Sequence, residues 1–527
     1  MTLATARTNP SAWDARRAVL AWTLPVLLSA AFIARCVILS RKRLLFGDEF
    51  FTWYPVSAPL GSMLASTADT INTAPPLYFV LGWAWAHVLG SSALSLRLFS
   101  ALAASGAILA MFAVLRRVYG SLASAVALTV AFIDPELLLQ SSEARFYMLL
   151  LAEVAAAIVL LQRLVESERP SRGLLAANAG LHACMVMTHY FGLLYSALIM
   201  AALVLASLML RRNPVRGAAS VVAGWIVFVP WIPVFLRHLQ MGRPSFWIPV
   251  PTPSDLAGYY VHFATGDFWL LVIVLCALAA LTLGVSMGAA PAARGGLARL
   301  LAVERREVPL LCIAVLLALF PAAIYLVSIR PGFTSTFLDR YLLPVALGWA
   351  ILCAHACSRV WRLGAGALKP GLLQRARTLA CAAFVVWCGA SLVMGAAALS
   401  RQEIPPRLPA AAGRTEPVVV EYIHEFMGLH FYAADGVRYR FLLDTEAALK
   451  AGGGEPANQQ VMAALKRHFP EQFPEVMTSG EFLAGTCGFW VKVHKREWWQ
   501  TRISNDPRFV ADSVIPDARL VHVSRRP

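Results

Sequence analysis

The feature that most constrains this chain is a succession of apolar runs, most of them near the roughly 18 to 20 residues that a bilayer-crossing helix needs. They lie at about 18–40, 97–115, 121–140, 146–163, 174–190, 191–210, 217–236, 268–288, 308–328, 341–358 and 378–399. In lipid the backbone has no water to satisfy it, so such runs have to be helical. They predict an all-α polytopic membrane protein with about eleven transmembrane helices. Charged residues make up only 14% of the 527, against about 25% in soluble domains. The first run is too long for a signal-peptide core and lacks a small-residue cleavage site. It reads as a retained helix.

The formal net charge is +16, which by itself would suggest a nucleic-acid partner. Its distribution argues against one. Residues 1–400 carry 30 Lys+Arg and 15 Asp+Glu, whereas 401–527 carry 16 and 15. The excess sits in short loops between apolar runs, where the positive-inside rule expects it. With the N-terminus inside, 20 basic residues fall in cytoplasmic segments and ten in outward ones. Counting 75–90 (PPLYFVLGWAWAHVLG) as a further span would reverse that bias to 9 against 21. Its two prolines, shortness and Trp/Tyr content fit an interfacial helix on the outer face instead.

This topology puts Asp48, Glu49, Asp69, Asp134, Glu136, Glu143, Asp255, Asp267 and Asp339 at the outer face or an outer helix end. Glu153 alone sits well inside a helix. The odd span count places the tail outside too, so the predicted setting is the inner membrane with a periplasmic C-terminal domain. Residues 1–400 read as the membrane domain and 401–527 as a small α/β domain. Strands are expected at 417–423, 439–443, 488–494, 508–514 and 518–524, with helices near 424–433, 458–468 and 496–505. The nine cysteines show no paired spacing, and eight lie in or beside apolar runs as small core residues.

Ionisable residues at a membrane edge are costly to keep and often functional. The outward face gathers GDEFFTWY after the first run, APPLYF and RLFSAL before the second, and SSEARFYML at the fourth. THYFGLL at the fifth, PWIPVFL with FWIP after the seventh and DRYLLP at the tenth complete the set. In this order the stretches resemble the GT-C membrane glycosyltransferases. The nearest branch holds the protein O-mannosyltransferases and the lipid A aminoarabinose transferase, which use polyprenyl-phosphate sugars. The likeness covers roughly residues 18–400, and the tail adds little to it. It implies a transferase that inverts the anomeric centre and moves a hexosyl or pentosyl group from a polyprenyl-phosphate donor to a cell-envelope glycan, lipid or protein.

That chemistry needs a base for the acceptor hydroxyl, cations for the leaving phosphate and greasy helices for the prenyl tail. Asp48 is the candidate base, as the resemblance also implies, and its alternative is a solvated helix-end carboxylate. Glu49 is a second catalytic candidate that could orient a neighbour or a backbone amide. Glu143 is the further acid expected at the site, although with Ser141 and Ser142 it could cap the fourth helix. Arg145 opposes a helix macrodipole there and so reads as a phosphate contact. Tyr147, Tyr78, His189, Tyr190, Arg340 and Tyr341 are the other substrate-binding candidates. Against His189 stands the ordinary role of a satisfied helix-end residue, whereas the Arg-aromatic pair Arg340 and Tyr341 suits phosphate binding.

Where aminoarabinose transferases carry a lysine before the Pro-Pro pair, this chain has Ala74. That makes an aminoarabinose donor doubtful and shifts the phosphate onto Arg145 or Arg340. A divalent metal is possible if Asp48, Glu143 and His189 converge, but their spacing does not require one. The rival readings are a transporter or lipid flippase and a lipid-linked glycan polymerase or ligase. A transporter would show repeat symmetry and ionisable residues near mid-bilayer.

Overall fold

Aliphatic and small residues dominate the runs, and with few polar side chains competing for backbone groups the chain coils into helices. The structure, a computed structural model, describes residues 12–242, 248–265, 303–364, 370–399, 403–404, 406–408, 415–434, 437–451, 455–493, 503 and 506–526. Its helices begin with α1 (Ala12–Ser40), α2 (Asp48–Ser57), α3 (Leu60–Ala68), α4 (Leu77–Leu89), α5 (Ala93–Tyr119), α6 (Ser121–Phe132) and α7 (Pro135–Gln140). They continue with α8 (Tyr147–Glu166), α9 (Arg172–Thr188), α10 (Tyr190–Met209), α11 (Val215–Trp225), α12 (Ile232–Gly242) and α13 (Pro253–Thr265). After these come α14 (Val308–Ser328), α15 (Val345–Gly364) and α16 (Pro370–Leu399).

Among the described residues, six helices are long and apolar enough to cross a membrane: Trp22–Ser40, Ala93–Tyr119, Tyr147–Glu166, Tyr190–Met209, Val215–Gln240 and Val308–Ser328. The remaining expected runs, where the structure describes them, are also helical: α6 and α7 divide 121–140, α9 covers 172–188, and α15 and α16 cover 345–364 and 370–399. The run at 268–288 lies outside the described residues. Six of the eleven expected spans therefore have counterparts by length and composition among the described residues. The stretch 75–90 forms α4, whose 13 residues are too few to span alone.

Local chemistry sets the boundaries. The Ser92 side chain caps α5 by accepting from the Ser95 amide, and Asp134 caps α7 from the Leu137 amide at 2.9 Å. Between α5 and α6 the chain reverses at Gly120, whose φ of 88° suits glycine. Helix α5 packs against both α1 and α8, with α15 against α6 and α14, and α9 against α11.

The segments between helices sort to two ends. Gln162 donates to the Arg306 carbonyl at 2.9 Å, Arg212 to the Val165 carbonyl, and Arg359 pairs with Glu307 at 2.5 Å. These are the segments expected on one face of the membrane. Asp48, Asn72, Arg145 and Arg340 meet at the other end. Glu153, midway along α8, is buried and accepts the Thr188 hydroxyl at 2.8 Å.

The C-terminal part is a six-stranded sheet of order β3-β2-β1-β4-β6-β5. Its strands are β1 (Val418–Val420), β2 (Tyr439–Leu443), β3 (Val476–Thr478), β4 (Gly488–Lys492), β5 (Phe509–Ile515) and β6 (Leu520–Arg525). The first four are parallel and the last two join antiparallel. Helices α17 (Ile423–Tyr432), α18 (Thr445–Ala451), α19 (Glu455–His468) and α20 (Ser479–Gly485) connect them. The sequence foresaw five of the six strands. It missed β3, α18 and α20, and the expected helix at 496–505 falls almost wholly outside the described residues.

This sheet is not an appendage. Leu45, Phe50, Phe51, Tyr54 and Ile71 from the first interhelical segment share one buried cluster with Val418, Phe426, Met462 and Phe473. Tyr54 lies 4.7 Å from Phe473 and Trp53 4.8 Å from Phe431, ring centre to ring centre. Burial on this scale, about 25 cal/mol per Å² of apolar surface, ties the two regions together.

Candidate active site

Asp48 opens α2 immediately after Gly47, whose backbone (φ 56°, ψ −125°) turns the chain sharply into the helix. Because that φ is unfavourable for any residue with a Cβ, the aim of the Asp48 side chain depends on a glycine. Its carboxylate is 30% exposed and stands 3.3 Å from an Arg340 guanidinium nitrogen and 3.9 Å from one of Arg145. Arg340 comes from a short 3₁₀ turn, Asp339–Tyr341, before α15.

Arg145 is almost wholly buried. Its Nη1 donates to the Asp48 carbonyl at 3.1 Å and to Asn72 Oδ1 at 2.9 Å. Asn72 is itself fixed by donating to the Phe51 carbonyl at 2.6 Å. Burial would raise the Asp48 carboxyl, but the Arg145 and Arg340 guanidiniums outweigh it and hold it below the usual carboxylate range. Arg340 and Arg145, though desolvated, stay firmly cationic beside Asp48 and the neighbouring tyrosines.

Glu49 faces the other way, into the protein. It forms a two-pronged ion pair with Arg97, at 2.7 and 2.6 Å, and accepts the Ala144 amide at 3.0 Å and the Phe46 amide at 3.2 Å. Both partners are 5% exposed. Arg97 also donates to the Arg43 and Leu44 carbonyls. The pair thus pins the segment before α2 to α5 and to the stretch carrying Arg145, with no lone pair facing a ligand.

Helix α8 begins at Tyr147, and no side chain caps it. Ser141, Ser142 and Glu143 therefore do not play the capping role open to them in the sequence; the serine hydroxyls donate back to the Leu138 and Leu139 carbonyls. Burial, with the nearby Glu49 and Asp48 carboxylates, pushes the Glu143 carboxyl up to about 7.

Aromatic rings wall the charged cluster. Arg145 lies over the Phe146 ring at 4.7 Å and Arg340 over Tyr147 at 5.8 Å. His189 caps α10 by accepting from the Phe191 amide at 3.1 Å. The same ring sits 4.7 Å from Phe146 and 5.3 Å from Tyr341, so it serves the helix end and lines the site at once. Tyr78 is fully buried with its ring 5.8 Å from Phe146.

Tyr190 belongs elsewhere. Its hydroxyl meets His238 Nδ1 at 2.7 Å and accepts from Trp231 at 3.3 Å. Ala74, at the position of the expected lysine, is fully buried in the apolar core. Among the described residues no three His, Cys, Asp or Glu side chains gather as a metal site. Sequence reasoning missed Asn72 and Arg97, whose partners lie 73 and 48 residues away. The one available signal was an arginine in an otherwise apolar stretch; Asn72 lies in the polar segment ADTINTAPP and gave none.

Two solved structures of ArnT from Cupriavidus metallidurans align along almost the whole chain. The form bound to undecaprenyl phosphate gives a TM-score of 0.56 at 16% identity, covering 95% of this chain and 97% of that one. The apo form gives 0.55 at 15%, covering 96% and 98%. The chain has the GT-C fold. That fold takes in the C-terminal sheet as well as the helices, since the alignment reaches both. No protein-family model matches the sequence, and no curated protein matches it either.

Proposed function

We propose that this chain is a glycosyltransferase that moves a sugar from a polyprenyl-phosphate donor to an acceptor hydroxyl on the outer face of the inner membrane. The observation that carries it is the meeting of Asp48, Arg145 and Arg340 at one aromatic-walled end of an apolar helix bundle. The bundle can hold a prenyl tail, and two fixed guanidiniums suit an anionic phosphate. The GT-C structure aligned with it holds undecaprenyl phosphate.

In the reaction the acceptor oxygen attacks the anomeric carbon from the face opposite the phosphate. The bond from that carbon to the phosphate oxygen breaks, and its electron pair leaves with the polyprenyl phosphate. The acceptor proton passes to the Asp48 carboxylate, and Arg145 and Arg340 take up the charge that grows on the leaving group. In the free protein these arginines make Asp48 a weak base. A bound phosphate draws on the same two cations, which raises the basicity of Asp48 when a proton has to be taken. Glu49 acts as a positioning residue through Arg97 and the Ala144 amide. Glu143 holds a proton beside the bound anion.

A transporter is the weaker reading, because the described charged clusters lie at the ends of the bundle and Glu153, within it, is tied to Thr188. The test is to incubate the purified chain with a panel of undecaprenyl-phosphate-linked hexoses and pentoses and an envelope extract as acceptor. Release of free undecaprenyl phosphate matched by labelled acceptor is expected. Movement of the intact donor across vesicles without its cleavage would overturn the proposal.

A further inference from the structure

The C-terminal sheet region reaches the charged cluster through His424, in the first turn of α17. Its ring stands 5.7 Å from Phe51, 6.2 Å from Phe46 and 5.1 Å from Tyr422. Its Nδ1 lies 3.6 Å from where a side chain on Gly47 would begin, so the imidazole rests on the turn that aims Asp48. That nitrogen is buried and has no hydrogen-bond partner among the described residues. A phenylalanine would fill this aromatic niche without a stranded polar atom. The unpartnered nitrogen that the histidine places there points to a task beyond packing.

The surrounding contacts point the same way. The Tyr432 hydroxyl accepts the Leu45 amide at 2.8 Å and Glu403 accepts the Leu44 amide at 2.7 Å, just ahead of Gly47. Thr70 donates to the Gln460 carbonyl at 3.1 Å, and Asp69 pairs with Arg467 and with His468, just ahead of Asn72. The C-terminal region thus grips both segments that lead into the site. Asp48, Arg145 and Arg340 in turn all act electrostatically on the His424 ring.

We infer that His424 is a positioning residue, holding the Gly47–Asp48 turn so that the carboxylate meets the acceptor. This inference rests on the transferase reading. On it, the C-terminal region is half of the site's scaffold, and removing the imidazole slows turnover while leaving the phosphate contacts intact.

The experiment uses the full chain and compares His424→Phe, which keeps a ring in the niche, with His424→Ala. Thermal stability, undecaprenyl phosphate affinity, and kcat and donor KM in the release assay are measured for each. In His424→Phe, kcat should fall by about tenfold to a hundredfold, the scale on which a misplaced reacting group is felt. Its melting temperature, donor KM and undecaprenyl phosphate affinity should stay close to wild type. His424→Ala should lose at least as much kcat. Wild-type kcat in either variant, or a loss confined to the alanine variant, would assign His424 to packing and overturn the inference alone. A wild-type chain that cleaves no donor in the panel would overturn the transferase reading, and the role of His424 with it.

Discussion

Arg340 and Asp48, 292 residues apart in sequence, meet at 3.3 Å between guanidinium and carboxylate. The contact joins the turn before α15 to the start of α2, and Arg145 approaches the same carboxylate oxygen from the start of α8. Three separate helix ends thus converge on one anion. Without a ligand the carboxylate partly offsets the two cations; an arriving phosphate has to share them. The site is therefore poised for exchange, with one anion already on its two cations.

The first consequence concerns binding. Truncating one partner of a desolvated charge pair costs on the order of 2 to 5 kcal/mol. Arg145→Ala should weaken undecaprenyl phosphate binding by about thirtyfold or more, measured by titration in detergent. Arg145→Lys should recover only part of this, because it loses the planar guanidinium whose Nη1 bonds Asn72 and the Asp48 carbonyl while Nη2 faces the Asp48 carboxylate.

The Glu49–Arg97 pair predicts a different phenotype. Both groups are buried, so removing either leaves an uncompensated charge and costs about 3 to 5 kcal/mol. Arg97→Ala should lower the melting temperature and the amount of protein in the membrane. Arg145→Ala should do so less, because its partner Asp48 is partly exposed and keeps Arg340 as a counterion. Equal stability in the two variants would contradict the separation of roles.

Much of this was legible in the sequence. GDEFFTWY, SSEARFYML, THYFGLL and DRYLLP marked Asp48, Arg145, Tyr147, His189, Arg340 and Tyr341, because charge next to aromatics at an apolar run's end is conspicuous. The partners were not legible. Asn72, Arg97 and His424 act across tens to hundreds of residues, and no local period encodes such pairings. Tyr190 carried the same aromatic signal as Tyr341, yet a helix-end tyrosine can face either way, and packing against α12 turned it toward His238. The tail's contact with the site was not legible because it lies in a shared apolar core, and strand and helix patterns say nothing about what they pack against.

Glu143 sets a pH dependence. Its carboxyl titrates near 7, so it is neutral below that and adds a negative charge beside Arg145 and Arg340 above it. Affinity for undecaprenyl phosphate should therefore be higher at pH 6 than at pH 8, by about threefold to tenfold for a partly screened charge. Glu143→Gln, which mimics the protonated form, should bind tightly at both. A variant that kept the full pH dependence would remove Glu143 from the site.

Sidedness has its own test. A reporter active only outside the cytoplasm should be active when fused after Pro527 and inactive near Arg212. Activity at Arg212 would place the Asp48 end on the wrong face for an outer-face transferase.

The most direct measurement is turnover of Asp48→Asn. Asparagine matches aspartate in size and still makes hydrogen bonds, so the variant should accumulate normally in the membrane. Undecaprenyl phosphate should still bind, because the arginines remain and the competing charge is gone. Sugar transfer, however, should fall by roughly 10² to 10⁴, as expected for loss of a general base. Full transfer by Asp48→Asn to a hydroxyl acceptor would contradict the assignment of Asp48 as the base.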